Sequence, residues 1–235
     1  MRVSIIIPVY NEFRTLPQVL RRVREAALPP GATKEIIVVD DGSTDGTSHL
    51  LAAYADSIHV HHATLNAGKG AAIRVGLTKA TGDIVLIQDG DLEYDPADYL
   101  QLVTPILNGK AKVVYGSRFR GKPTGMAKKN WIANKVLTLT ANTLYSASIT
   151  DEATAYKAFH IEVLNRLRLE CRRFEFCPEV TAKIRRLGYT IHEVPITYNP
   201  RGIAEGKKIA ARDGFHALWT LLRYRIAPRR SFELK

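Results

Sequence analysis

The sequence predicts an α/β fold, a mostly parallel twisted sheet flanked by helices, and three observations carry that prediction. Short β-branched runs alternate with stretches of helical period through roughly the first 120 residues. The runs are apolar almost throughout, as in strands buried on both faces. Three of them end in clusters of Asp, Glu, Asn and Gly, the place where open parallel sheets hold their ligands. At 235 residues, 46% hydrophobic and 24% charged, the chain suits a globular α/β domain and not a disordered, collagen-like or low-complexity one.

Val3–Ile7 is the first strand, finishing in Pro8-Val9-Tyr10-Asn11-Glu12, and Leu16–Ala27 follows with Leu, Val and Ala at helical spacing. Glu35–Val39 is the second strand and runs into Asp40-Asp41-Gly42-Ser43-Thr44-Asp45-Gly46, before a helix over Thr47–Tyr54. Ile58–His61 is the third strand and Ala71–Ala80 the next helix. Ile84–Ile87 is the fourth strand, ending in Gln88-Asp89-Gly90-Asp91-Leu92-Glu93-Tyr94-Asp95-Pro96; a helix over Ala97–Leu107 and a strand over Lys112–Tyr115 follow. Gly116–Asn130 reads as a basic loop with Arg118, Arg120, Lys122, Lys128 and Lys129 among Gly and Pro. Trp131–Tyr145 and Pro178–Leu187 read as helices, Pro178 suiting a first turn. Thr190–Ile196 is a strand, Tyr198–Lys208 a glycine-containing loop, and Ile209–Ile226 an amphipathic helix before Pro228-Arg229-Arg230. With no internal repeat or linker, the expected organisation is one domain over residues 1–208 and a C-terminal amphipathic helix with a basic tail over 209–235.

Charge is unevenly placed. Residues 1–100 carry 9 Lys+Arg against 13 Asp+Glu, a balance of −4, and residues 101–235 carry 25 against 10, a balance of +15. An acidic half suits a cation; a basic half suits phosphate, nucleic acid or a membrane face, or is a solvated surface. No signal peptide or membrane span is expected. Val3–Tyr10 is a short apolar run broken by Pro8, and no run of about 18 apolar residues occurs. Cys171 and Cys177 are too few for a disulfide scaffold or a four-ligand zinc site and read as reduced thiols of a cytoplasmic protein.

Asp89 and Asp91 follow an apolar strand. In extended backbone, residues i and i+2 point to one side, so both carboxylates can face one cation, with Glu93 joining if the extension persists. Ligands that are all oxygen favour Mg²⁺ or Mn²⁺; the other use is a carboxylate-rich turn capping the helix near Pro96. Asp40 and Asp41 also have two uses. Asp41, Ser43 and Asp45 can bond backbone N–H groups and start a helix, or a strand-end carboxylate can accept from a ribose or base. The backbone of Asn66-Ala67-Gly68-Lys69-Gly70 precedes a helix and could face a phosphate, but it lacks the Gly-Lys-Ser/Thr ending of a Walker A loop. Tight helix–strand packing is the better use of its glycines. His59, His61 and His62 have no Cys or carboxylate spaced to complete a metal site and read as edge-strand residues.

Pro8-Val9-Tyr10-Asn11-Glu12, Val39-Asp40-Asp41-Gly42-Ser43-Thr44-Asp45, Asn66-x-Gly68-Lys69-Gly70-x-Ala72, Gly82-Asp83, Asp89-Gly90-Asp91-Leu92, Gly116-Ser117-Arg118 and Glu193-Val194-Pro195-Ile196 occur in one order. The ordered set resembles the inverting family 2 glycosyltransferases of GT-A fold and, within them, the dolichyl- and polyprenyl-phosphate sugar synthases, over nearly the whole chain to about Lys208. The resemblance implies that Pro8, Tyr10, Glu12, Val39 and Asp41 cradle the donor nucleotide. It implies that Asp89, Gly90 and Asp91 hold the metal and the diphosphate, with Glu93 completing the metal shell. Arg118 would face the lipid phosphate, with Arg120 and Lys135 as further acceptor-binding candidates. Arg201 and Lys207 match the basic residues of a loop over the donor diphosphate, at the family spacing Arg201-x-x-x-Glu205-x-Lys207. The sequence departs from the family at Ala204 and Gly206, more often Gly and Ser. Asn134 and Lys135 stand where an acceptor-binding arginine is common. Asp151-Glu152-Ala153-Thr154-Ala155-Tyr156-Lys157 varies a more usual Asp-x-Thr-Ser-Gly-aromatic-Arg.

The implied activity is a metal-dependent inverting transfer of a hexose from a GDP- or UDP-linked sugar to polyprenyl or dolichyl phosphate, with Mg²⁺ or Mn²⁺ as cofactor. The alternative is a family 2 enzyme acting on a glycan, glycolipid or soluble acceptor. A lipid monophosphate, with a second pKa of about 6, is already mostly a dianionic nucleophile and requires no general base. For a sugar hydroxyl, Asp151 is the first candidate base, its other use being to brace a turn. The implied partners are the nucleotide-sugar donor, the polyprenyl-phosphate acceptor and a membrane surface, with room for a membrane-spanning partner subunit, and no nucleic acid. The expected location is peripheral, on the cytoplasmic face of a membrane, where the basic loop meets head groups. Phe215, Leu218, Trp219 and Leu222 recur at i, i+3, i+4 and i+7 ahead of Arg223, Arg225, Arg229 and Arg230, which suits a helix in a membrane interface or one packed on the core. Two rivals come from other classes. A nucleic-acid-binding module would answer to the pI of 9.7, but the acidic strand ends repel phosphate without a metal. A nucleotidyltransferase would use the same carboxylates and release pyrophosphate.

Overall fold

Ile5, Ile6 and Ile7 are fully buried in Arg2–Val9 (β1), where alternation sends Ile6 to one core and Ile5 and Ile7 to the other. Each such side chain contributes about 1.5–3 kcal/mol by leaving water, which is why this run sits mid-sheet. The computed structural model describes residues 1–121, 125–201 and 211–234. Seven strands form one sheet: β1, β2 (Thr33–Asp40), β3 (His59–His62), β4 (Ile84–Ile87), β5 (Val113–Ser117), β6 (Lys157–His160) and β7 (His192–Pro195). Their order is β3-β2-β1-β4-β6-β5-β7. Neighbours are parallel except at β6, which is antiparallel to both β4 and β5. The helices are α1 (Leu16–Glu25), α2 (Thr47–Ala52), α3 (Lys69–Lys79), α4 (Tyr99–Leu107), α5 (Lys128–Tyr145), α6 (Ile161–Asn165), α7 (Phe176–Arg186) and α8 (Ala211–Ile226). Because β2 and β4 flank β1, the β1–β4 junction is the switch point at which open α/β sheets form a crevice.

Two elements, β6 and α6, were not predicted. β6 is four residues long and opens on Lys157, which reads as a surface residue but is fully buried. Its ammonium donates to the Glu152 carbonyl at 2.8 Å and lies 3.7 Å from the Tyr115 ring centroid. The expected loop over Gly116–Asn130 is shorter at both ends. β5 runs through Ser117, which pairs with Pro195 of β7, and α5 starts at Lys128. Lys122 lies outside the described residues. His59, His61 and His62 occupy the edge strand as expected, with His62 Nδ1 3.1 Å from Asp40. Cys171 and Cys177 are free thiols.

α8 packs one face on the core: Ala217, Leu221 and Tyr224 are buried, and the Tyr145 hydroxyl of α5 donates to the Leu221 carbonyl. Leu218 leans inward with them, whereas Phe215, Trp219, Leu222 and Ile226 are exposed on the opposite face. No helix among the described residues is long and apolar enough to cross a membrane.

Candidate active site

Parallel register brings the ends of three strands to one edge, with Val9 of β1 opposite Asp40 of β2 and Ile6 of β1 opposite Ile87 of β4. Beyond them lies a pocket of about 240 Å³. Pro8, Tyr10, Glu12, Asp41, Asp89, Gly90, Asp91, Glu93 and Arg201, all singled out from the sequence, line it together. Val39 does not. It is 1% exposed in the core beneath the sheet end, and Val9 supplies the apolar wall. Lys207 lies outside the described residues.

Local hydrogen bonds fix these segments. The Asn11 side chain accepts from Thr44 N at 2.7 Å and Ser43 Oγ accepts from Asn11 N at 2.9 Å, tying the loops after β1 and β2. Asp40 is the turn-maker, accepting from Ser43 N at 3.0 Å and from the Ser48 hydroxyl. Asp41 faces the pocket and accepts from the amides of Ala67 at 2.9 Å and Gly68 at 2.7 Å. Burial nonetheless leaves its carboxyl above the ordinary aspartate range. The amides of Gly70 and Ala71 donate to the carbonyls of Arg173 and Arg172, so these four loop amides are committed and do not face a phosphate. Gly68 and Gly70 pack against that 172–173 backbone, not against a strand as expected; a Cβ on Gly68 would lie 2.5 Å from the Arg172 carbonyl oxygen. A Cβ on Gly90 would meet Val9 Cγ1 at 2.8 Å and the Pro8 oxygen at 3.2 Å, so only glycine lets the acidic run lie across β1.

The acidic run is rooted by Gln88, a fully buried side chain that the sequence did not mark. Its oxygen accepts from the hydroxyls of Tyr99 at 2.7 Å and Tyr156 at 2.6 Å, and its nitrogen donates to the Asp89 carbonyl at 3.0 Å. Asp89 and Asp91 reach the pocket through a turn, not through extended alternation: Asp91 Oδ1 accepts from Glu93 N at 3.0 Å. Asp89 is ion-paired with Lys69, the first residue of α3. Asp91 Oδ2 lies 2.8 Å from Arg201 Nη2, and Arg201 Nη1 lies 3.3 Å from Glu12 Oε1. Burial, then the charge of Asp89, pushes the Asp91 carboxyl up to about 7 despite Arg201. The pocket thus sets five carboxylates against Lys69, Arg173 and Arg201, an excess of negative charge that a cation would relieve. Glu93 lines the same pocket and accepts from the Arg201 amide at 3.0 Å and the Tyr198 hydroxyl at 3.3 Å. Among the described residues no group of three His, Cys, Asp or Glu is gathered for a metal. Asp89 and Asp91 are the pair that fits one, since Mg²⁺ draws most of its oxygens from water and phosphates.

Arg118 and its partners stand outside the pocket. Arg118 Nε and Nη2 each lie 2.7 Å from an oxygen of Asp151, and Arg118 N donates to Asp151 Oδ2 at 2.9 Å. Asp151 is wholly buried with both oxygens engaged, and it holds Arg118. Glu193 braces it from β7, accepting from the Thr150 and Asp151 amides. Tyr198 forms the wall between the two sites, its ring 5.1 Å from the Arg118 guanidinium and its hydroxyl on Glu93. Lys135 shares the Arg118 side of the molecule, with Nζ 4.0 Å from the Phe119 ring centroid and Arg118 5.9 Å from the same ring. Arg120 is drawn to β7 instead, donating to the Glu193 carbonyl at 3.0 Å. Lys69 as an acid's partner, and Arg173 and Phe174 in the wall, carried no periodic signal; only the close packing of Gly68 and Gly70 brings the 172–174 segment there.

Residues 4–168 match the family model for glycosyl transferase family 2. The chain is 32% identical to undecaprenyl-phosphate mannosyltransferase of Micrococcus luteus, over 96% of this chain and 99% of that protein. It is 34% identical to polyprenol monophosphomannose synthase of Mycolicibacterium smegmatis, over 88% and 80%. In fold it is similar to glucosyl-3-phosphoglycerate synthase of Mycobacterium tuberculosis bound to UDP, at a TM-score of 0.75 and 21% identity over 97% of this chain and 81% of that one. Solved complexes of that enzyme hold Mn²⁺ with UDP-glucose and Mg²⁺ with UDP. The chain has the GT-A fold, is a hexosyltransferase, and belongs to glycosyl transferase family 2.

Proposed function

We propose that this family 2 glycosyltransferase moves a hexose, with inversion, from a GDP- or UDP-linked sugar to polyprenyl phosphate, using Mg²⁺ or Mn²⁺ held by Asp89 and Asp91. The observation that carries the reading is the pairing of two sites across Tyr198: an acidic pocket at the switch point, and a buried arginine locked by Asp151 beside it. The polyprenyl-phosphate mannosyl enzymes to which the chain is similar along their length support the same acceptor class.

Pro8, Tyr10, Glu12 and Asp41 would hold the nucleotide. As the sugar's bond to the leaving diphosphate breaks, negative charge grows on its oxygens, and Arg201 and Lys69, paired with Asp91 and Asp89 in the pocket, would offset it. The bound cation would add Lewis-acid stabilisation of the same charge. Arg118, oriented by Asp151, would bind the acceptor phosphate so that one of its oxygens lies in line with the departing group, which makes positioning a large part of the rate. That phosphate, with a second pKa of about 6, is a dianion at neutral pH and attacks without a general base, consistent with the full engagement of Asp151.

The exposed Trp131, Ile132 and Val136 of α5 and Phe215, Trp219 and Leu222 of α8, with Lys128, Lys129, Arg223 and Arg225 on the same helices, suit a peripheral position at an anionic membrane surface on its cytoplasmic face. Incubation with radiolabelled GDP-mannose, GDP-glucose, UDP-glucose or UDP-galactose and polyprenyl phosphate tests the reading. An acid-labile, mild-base-stable labelled lipid supports it. Transfer to a glycan or soluble acceptor with no lipid product, in saturating Mn²⁺, overturns it.

A further inference from the structure

We propose that Lys69 and Arg201 couple the metal to the donor: each is paired with a carboxylate that the metal needs, and each passes to the donor's diphosphate when the cation takes its place. This rests on the pocket being the donor site. Lys69 opens α3, but the amides around it are committed, those of Ala67 and Gly68 to Asp41 and those of Gly70 and Ala71 to the 172–173 carbonyls. With those four amides engaged, that end of the helix presents the Lys69 ammonium to Asp89. The ammonium sits on Asp89, with 21% and 15% of the two side chains exposed, and Arg201 sits on Asp91, with 17% and 9% exposed. These pairs are sheltered, so solvent screens them little.

A divalent cation that coordinates Asp89 and Asp91 competes with both basic groups for the same oxygens. Binding of the cation alone takes Asp89 from Lys69 and Asp91 from Arg201, which keeps its contact with Glu12. A nucleoside diphosphate arriving with the metal supplies a new anion, so Lys69 and Arg201 each exchange a carboxylate for a phosphate oxygen. Metal and nucleotide then strengthen each other reciprocally, as linkage requires, in the range of about 5–150-fold usual for coupled sites.

The test is a titration of Mn²⁺ read from the electron paramagnetic resonance signal of the free ion, with and without GDP or UDP, on the wild type, Lys69→Met, Lys69→Arg and Arg201→Met. In the wild type, one nucleotide should tighten Mn²⁺ binding at least about 5-fold. Lys69→Met should bind Mn²⁺ alone more tightly than wild type and show a smaller gain on adding nucleotide, Lys69→Arg should behave as wild type, and Arg201→Met should shift in the same direction as Lys69→Met. A purely structural lysine would weaken both binding events together. If Lys69→Met and Arg201→Met bind Mn²⁺ alone no better than wild type while nucleotide still tightens the wild type, the exchange is refuted and the donor site stands. If neither nucleotide alters Mn²⁺ binding by the wild type, the donor-site reading itself falls. Thermal melts of each variant identify one that fails to fold, and the other position then decides.

Discussion

Replacing Asp151 with Asn tests how the second site is built. Asp151 is 0% exposed and receives three N–H groups of Arg118, a residue itself 6% exposed. Asn keeps one acceptor oxygen but removes the charge, leaving the guanidinium buried beside Tyr198 and Phe119 without a counter-ion. Breaking a buried ion pair by removing one member costs about 3–5 kcal/mol, a large share of the roughly 5–15 kcal/mol that holds a domain folded. Urea denaturation of wild type, Asp151→Asn, Arg118→Met and the double variant measures it. Each single variant should lose about 3 kcal/mol or more, and the double variant should lose less than their sum by about 1–3 kcal/mol because the pair acts as a unit. Steady-state kinetics with polyprenyl phosphate should show Asp151→Asn raising the acceptor KM with nucleotide affinity unchanged. A loss below about 1 kcal/mol, additive single variants, or an acceptor KM and kcat both equal to wild type would refute the positioning role.

In the ligand-free protein, Asp91 is pushed up to about 7 from an ordinary 3.8, so the native state keeps a proton that the unfolded chain releases between those values. Its contribution to stability is therefore lost as pH rises from about 4 through about 7, by up to about 4 kcal/mol at 1.36 kcal/mol per pKa unit. Urea midpoints should be higher at pH 5 than at pH 8, and Asp91→Asn should flatten that slope; equal slopes would contradict it. Gly90→Ala should cost about 1–3 kcal/mol and weaken nucleotide binding, because the new methyl meets Val9 and the Pro8 carbonyl; an unchanged melting temperature with full binding would count against the close approach. Trp219→Asp on the exposed face of α8 should cut sedimentation with vesicles containing phosphatidylserine while leaving the thermal melt within a degree or two; vesicle binding equal to wild type would remove α8 from the membrane face.

The strand ends were legible because a parallel sheet puts chemistry at one edge. Once β1, β2 and β4 read as apolar runs, Pro8–Glu12, Asp41 and Asp89–Glu93 had to meet. Asp40 and Asp41 are adjacent in sequence yet serve different ends, and only the hydrogen bonds from Ser43 and Ser48 on one side and from Ala67 and Gly68 on the other separate them. Partners distant along the chain left no local trace. Arg118 and Asp151 are 33 residues apart, and Lys69 and Asp89 approach only because α3 and the end of β4 border one pocket. β6 was hidden for a related reason. A buried lysine is admissible when a carbonyl and an aromatic ring are supplied by tertiary packing, and four residues are too few for a period to declare itself.

The proposed transfer requires Asp89 and Asp91 to place a divalent cation against the donor's diphosphate. Electron–nuclear double resonance on wild type loaded with Mn²⁺ and GDP or UDP reads this directly from phosphorus-31 coupling to the metal. A resolved coupling is expected with one of the nucleotides, absent in Asp89→Asn and Asp91→Asn proteins that still melt as folded domains. An Mn²⁺ signal without phosphorus coupling, or a coupling that persists in both variants, would contradict it.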